Sequence, residues 1–155
     1  VKYLVFLTLL AACASVPEKV KKEITAQNLA GHWISYRFSM DPTKREVESD
    51  LFIGCDGQIR YTIRRDHALI MKESSDDGRI KSIEDGKIHF RSWIGLSWTH
   101  LYTKPTKDQK GCWRMHFHGE SFSSSRLKDC TAPQLRWNEE LSKAFADRNK
   151  PDVCL

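Results

Sequence analysis

The chain changes its hydrophobic pattern twice. Leu4 to Leu10 is apolar except for Thr8, follows the basic Lys2, and runs into small Ala11 and Ala12 before Cys13. The run is about half of what a bilayer span needs, so it predicts a signal segment and not a transmembrane helix. That segment is residues 1–12. Residues 13–27 are polar and charge-mixed and predict a tether with a turn or two of helix up to Gln27.

A folded domain is expected over 28–155. From residue 30 to 122 the pattern alternates, the mark of half-buried strands. His32, Ile34, Tyr36 and Phe38 share one face of the first strand, and Leu51, Ile53 and Cys55 one face of the second. Asp56-Gly57 is a two-residue type I′ signal, since both positions of that turn need positive φ. Ile59, Tyr61 and Ile63 then alternate with Arg60, Thr62 and Arg64. Further strands are expected over His67–Glu73, Arg79–Glu84, Lys87–Trp93, Trp98–Lys104 and Cys112–Phe122. Ser74 to Gly78 and Asp85-Gly86 read as turns, and Trp113, Met115 and Phe117 share a face.

The period then becomes helical. Thr131-Ala132-Pro133-Gln134 has the form of a capping box with Pro in the first turn, and Trp137, Leu141, Ala144 and Phe145 fall on one helical face. Asn149 and Pro151 are expected to end that helix. The economical fold is mainly β: an antiparallel eight-stranded barrel or closed sandwich with one C-terminal α-helix on its wall.

Composition narrows the class. Of 155 residues, 40% are hydrophobic and 29% charged, a globular balance. Removing residues 1–12 leaves one domain's worth of chain, with 24 basic against 20 acidic residues. There are five cysteines. With Cys13 set apart, Cys55, Cys112, Cys130 and Cys154 are an even set, which predicts two disulfides in an exported chain. Four cysteines allow three connectivities; Cys55–Cys112 with Cys130–Cys154 is the leading expectation, because the second pair brackets the terminal helix. No spacing is CxxC, which argues against a zinc knuckle or a thioredoxin-like redox site.

Leu10-Ala11-Ala12-Cys13 resembles the lipobox of bacterial lipoproteins. The resemblance implies cleavage before Cys13 and lipidation of its thiol, with palmitate among the acyl groups. It also implies a place on the cell envelope. Ala14, where an Asp favours the inner membrane, leans the sorting to the outer membrane, facing the periplasm. Leu29-Ala30-Gly31-His32-Trp33 resembles the Gly-x-Trp opening motif of lipocalins and related calycin barrels. That resemblance implies a lipocalin-like barrel followed by a helix, a layout shared with small periplasmic inhibitors.

Candidate chemistry is sparse. His116, His118 and Glu120 fall at alternate positions and suit a metal in type, but Arg114 lies on their face, which reads as solvated, so no metal or cofactor is expected. Gly119-Glu120-Ser121-Phe122-Ser123 lacks the final Gly of a nucleophile elbow, and no catalytic residue is expected. Arg60, Arg64, Arg65, Lys72, Arg79, Lys81 and Lys87 lie on or beside four consecutive expected strands, as a basic patch for lipid phosphates or an acidic protein, or as an ordinary solvated surface. Nucleic acid does not fit an exported, lipid-anchored chain. Trp93, Ile94, Leu96 and Trp98 flank Gly95 and read either as an apolar barrel rim, where Trp93, Leu96 and Trp98 with Arg91 would bind, or as a buried hairpin corner.

The expected function is therefore a non-enzymatic, lipid-anchored envelope protein that holds a small amphipathic ligand or lipid. The lumen would be lined by Ile34, Tyr36, Ile59, Tyr61, Ile63, Phe90, Met115 and Phe117. The alternative is a periplasm-facing inhibitor or immunity lipoprotein that grips a toxin or hydrolase through its rim loops. Cys13→Ser is expected to abolish labelling of the chain by radioactive palmitate and to leave an uncut precursor on gels.

Overall fold

The computed structural model describes residues 16–38, 45–67, 70–147 and 154. Cys13 and the signal segment lie outside these, as do Asn149 and Pro151, and the side chains of Phe38, Arg65, Lys72 and Phe145 are likewise outside the description. Among the described residues no helix is long and apolar enough to cross a membrane.

The domain is mainly β. Helix α1 (Glu18–Ala26) leads into nine strands: β1 (Gly31–Phe38), β2 (Arg45–Ile53), β3 (Gln58–His67), β4 (Ile70–Glu84), β5 (Lys87–Ser92), β6 (Ser97–Leu101), β7 (Thr106–Lys107), β8 (Trp113–Phe117) and β9 (Glu120–Ser124). Helix α2 (Trp137–Asp147) follows. The strands form one antiparallel sheet in the order β6-β5-β4-β3-β2-β1-β9-β8-β7. It curls into a half-barrel and is not the closed eight-stranded barrel expected. Its ends touch at one isolated bridge, Tyr102 to Phe117. Around it Thr103 N donates to His116 O and His118 N to Leu101 O, both at 2.9 Å.

Three expected boundaries are corrected. Ser74 to Gly78 pairs with β3, so the strands expected on either side of it are one, β4. Turn-forming residues are tolerated because Asp77 forms a bidentate ion pair with Arg60 across the ladder. Gly78 is required by close approach: a Cβ there would lie 2.2 Å from the Arg91 carbonyl oxygen. The strand expected over Cys112–Phe122 is instead a hairpin. It turns at His118 (φ 50°) and Gly119 (φ 82°), the two positive-φ positions of a type I′ turn. Asp85-Gly86 turns the same way (φ 50° and 70°), whereas at Asp56-Gly57 only the glycine has positive φ and the turn is longer, closed by Gly57 N to Gly54 O.

The concave face is filled. Ile59 and Tyr61 from β3, Phe90 from β5, and Met115 and Phe117 from β8 are buried as their alternation predicts. Strand β1 is inverted relative to expectation: Trp33 is the fully buried inward residue, while His32, Ile34 and Tyr36 turn to the convex face. Burial of Trp33 is tolerated because its indole N–H donates to the Leu29 carbonyl at 2.9 Å. The stretch read as tether also contributes. Val16, Val20 and Ile24, spaced one helical turn apart, enter the same core, and Tyr102 bonds Gln27 at the end of α1. The packed unit therefore starts before Asn28.

The four cysteines form two disulfides, but as Cys55–Cys130 and Cys112–Cys154, so the expected pairing is corrected. The turn after β2 sits beside the start of the C-terminal segment, where Trp137 lies against Gly54. Thr131 to Gln134 does not start the helix: Asp129 accepts from Thr131 N and Oγ1, and the helix begins at Trp137. Removing the Cys112–Cys154 bridge, which spans 42 residues, by paired serine substitution is expected to cost about 4 kcal/mol in urea unfolding. Peptide mapping of the unreduced protein should link the Cys55 peptide to that of Cys130.

Candidate functional site

The candidate binding residues Arg91, Trp93, Leu96 and Trp98 are brought together on the β5–β6 hairpin. Trp93, Leu96 and Trp98 are exposed, and with them Ile94 (83% exposed) and Leu101, the last of which sequence reasoning left out. The turn is held by short local bonds. Ser92 N donates to Leu96 O (2.8 Å), Leu96 N to Ser92 Oγ (3.1 Å), and Arg91 Nε to Gly95 O (3.2 Å). Gly95 takes φ 90°, which a side chain disfavours. Trp93 N donates to Asp77 O on β4, and the Arg79 guanidinium lies 5.3 Å from the centre of the Trp93 ring. The apolar tip is thus held by its own local contacts. Trp98 stands opposite Phe90 across the ladder, at the edge of the filled core.

The basic patch is committed in part, with Lys81 and Lys87 exposed. Arg60 is paired with Asp77, and Arg64 lies 4.0 Å from the fully buried Asp50, which also accepts from His32 at 2.7 Å. The His116, His118 and Glu120 alternation is broken by the β8–β9 turn, and among the described residues no group of three or more ligand types is placed to hold a metal. Ser121 Oγ lies 3.2 Å from His116 Nδ1, exposed on β8–β9. Among the described residues no carboxylate orients that imidazole, and Ser121 sits in a strand instead of a strand-to-helix elbow.

A second grouping carried no sequence signal. Inside the half-barrel the Tyr61 hydroxyl, the Ser49 hydroxyl, one Glu120 oxygen and both ring nitrogens of His100 are buried without hydrogen-bond partners. Burial, then the nearby Glu120 carboxylate, raises the Tyr61 phenol well above its ordinary range. His100, 6% exposed, is enclosed by Tyr61 from β3, Phe90 from β5, Phe117 from β8 and His118 from the β8–β9 turn. Desolvation, then the His118 charge, lowers its pKa from 6.5 to about 4. Each residue alternates like an ordinary strand position, so only the curl of the sheet reveals the cluster.

No protein-family model matches the chain, and neither a curated protein nor a solved structure is similar to it.

His100 is neutral in the fold, and the unfolded chain takes up its proton first as pH falls. Its contribution is therefore present above pH 6.5 and lost progressively down to about 4. Urea unfolding of wild type should lose about 3 kcal/mol from this group across that window. His100→Phe, which keeps an aromatic ring at the site, should lose that much less.

Proposed function

We propose that the chain is a lipid-anchored protein of the bacterial envelope, on the outer membrane facing the periplasm. Its domain binds a protein partner through the β5–β6 hairpin and catalyses nothing. The reading is that of an inhibitor or immunity lipoprotein guarding against a toxin or hydrolase. Anchoring is supported by the Leu10 to Cys13 motif, and an oxidising compartment by the two disulfides.

One observation carries the choice of site: a rigid turn presents Trp93, Ile94 and Leu96 to solvent above a core with no open lumen. Trp33, Tyr61, Phe90, Phe117 and Phe122 are all fully buried in the hollow that the lumen of a barrel would occupy. A solid core under an exposed apolar rim favours recognition at the rim. Tryptophan and arginine together anchor interfaces well, because each buries much surface and keeps a polar handle. Arg91 and the Arg79–Trp93 stack suit a partner that offers an apolar pocket edged by carboxylates.

The test is site-specific crosslinking of the full chain in intact cells, with benzoylphenylalanine replacing Ile94. A discrete protein adduct is expected, about tenfold or more weaker in Trp93→Ala, whose melting temperature should stay near that of wild type. Adducts with lipid alone, or an unchanged adduct in Trp93→Ala, would overturn the reading.

A further inference from the structure

A cleft lies away from the hairpin, on the convex side of the sheet. Its volume is about 670 Å³, within the range of small-molecule sites. The floor is β1 and β2, and the roof is the segment from Ser124 into α2. A covalent link sets the spacing between them: Cys130 ties the start of the roof to the β2–β3 turn, while Cys154 ties the chain beyond α2 to Cys112, just before β8. The Lys128–Glu140 ion pair braces the roof within itself.

The lining divides in two. Ile34, Phe52, Leu135 and Trp137 give an apolar trough. The charged groups are Arg126, Lys128, Asp129, Glu140 and Lys143. Lys128 and Glu140 neutralise each other, and the Asp129 carboxylate is occupied by Thr131. Arg126 and Lys143 are exposed, and among the described residues neither has an ion-pair partner. His32, stacked on Phe52 at 4.0 Å and held by Asp50, adds a rigid polar edge to the floor.

From this we infer that the cleft is a binding site for a single-chain amphipath with an anionic head. The acyl chain lies along Ile34, Phe52, Leu135 and Trp137, and the carboxylate or phosphate meets Arg126 and Lys143. This site is independent of the hairpin. An apolar trough with no charge at its mouth would take any hydrocarbon; two uncommitted cations select the anion.

The test uses the folded, disulfide-bonded domain and 11-(dansylamino)undecanoate as fluorescent probe. One probe per chain is expected, with the methyl ester bound about tenfold more weakly. The double variant Arg126→Glu/Lys143→Glu should bind the acid no better than the ester. Ala144→Trp, which fills the cleft from α2, should block both probes, while Trp93→Ala leaves both unchanged. Competition by laurate against dodecyl phosphate separates a carboxylate head from a phosphate head. No binding of the acid at about 100 μM would overturn the site. So would uptake insensitive to both cleft variants, or uptake lost in Trp93→Ala.

Discussion

A curled sheet that does not close has a hollow to fill, and filling it governs most of this structure. Strand side chains alone do not complete the task. Trp33 enters from β1 with its indole N–H satisfied by Leu29, and α1 lowers Val20 and Ile24 onto the same aromatic cluster. Burial of this apolar surface is the dominant favourable contribution to the fold. It uses up the interior of the sheet, while Trp93, Ile94 and Leu96 stay exposed outside it. It also leaves four buried polar groups in company with one another, in a position water would normally occupy.

The C-terminal segment answers the opposite problem. The convex face of β1 and β2 carries Ile34, Phe52 and the stacked His32, more apolar surface than a solvated sheet face should show. The segment from Ser124 into α2 roofs that face, tied to the end of β2 by the Cys55–Cys130 disulfide. Both faces of β1 are thereby covered, and the strand has no polar side to betray its orientation.

That double covering explains where the sequence was legible and where it was not. Strands β3, β5 and β8 alternate between a covered and a wetter face, so Ile59, Tyr61, Phe90, Met115 and Phe117 were readable as core. On β1, His32, Ile34 and Tyr36 outnumber Trp33, and counting apolar residues chose the wrong side. Helical turns up to Gln27 were legible, but their packing was masked by the surrounding charges, although Val16, Val20 and Ile24 keep helical spacing. Ser74 to Gly78 looks like a turn in isolation and becomes strand only through Asp77 pairing with Arg60 and Arg91 crossing over Gly78. The hairpin residues were legible because three large apolar side chains flank a glycine. The His100 cluster and the convex cleft were not, since both arise from residues far apart in sequence.

The two disulfides interleave: Cys112 lies inside the loop closed by Cys55 and Cys130, and Cys154 lies outside it. Oxidation in order of synthesis would join Cys55 to Cys112 first, and neither final bridge is of that kind. Both native partners, Cys130 and Cys154, arrive last, after every strand has been made. Correct pairing therefore depends on thiols staying reduced until the sheet has curled, or on exchange through a mixed disulfide afterwards. The cross-links record a fold already reached, since neither can close before the whole sheet has been made.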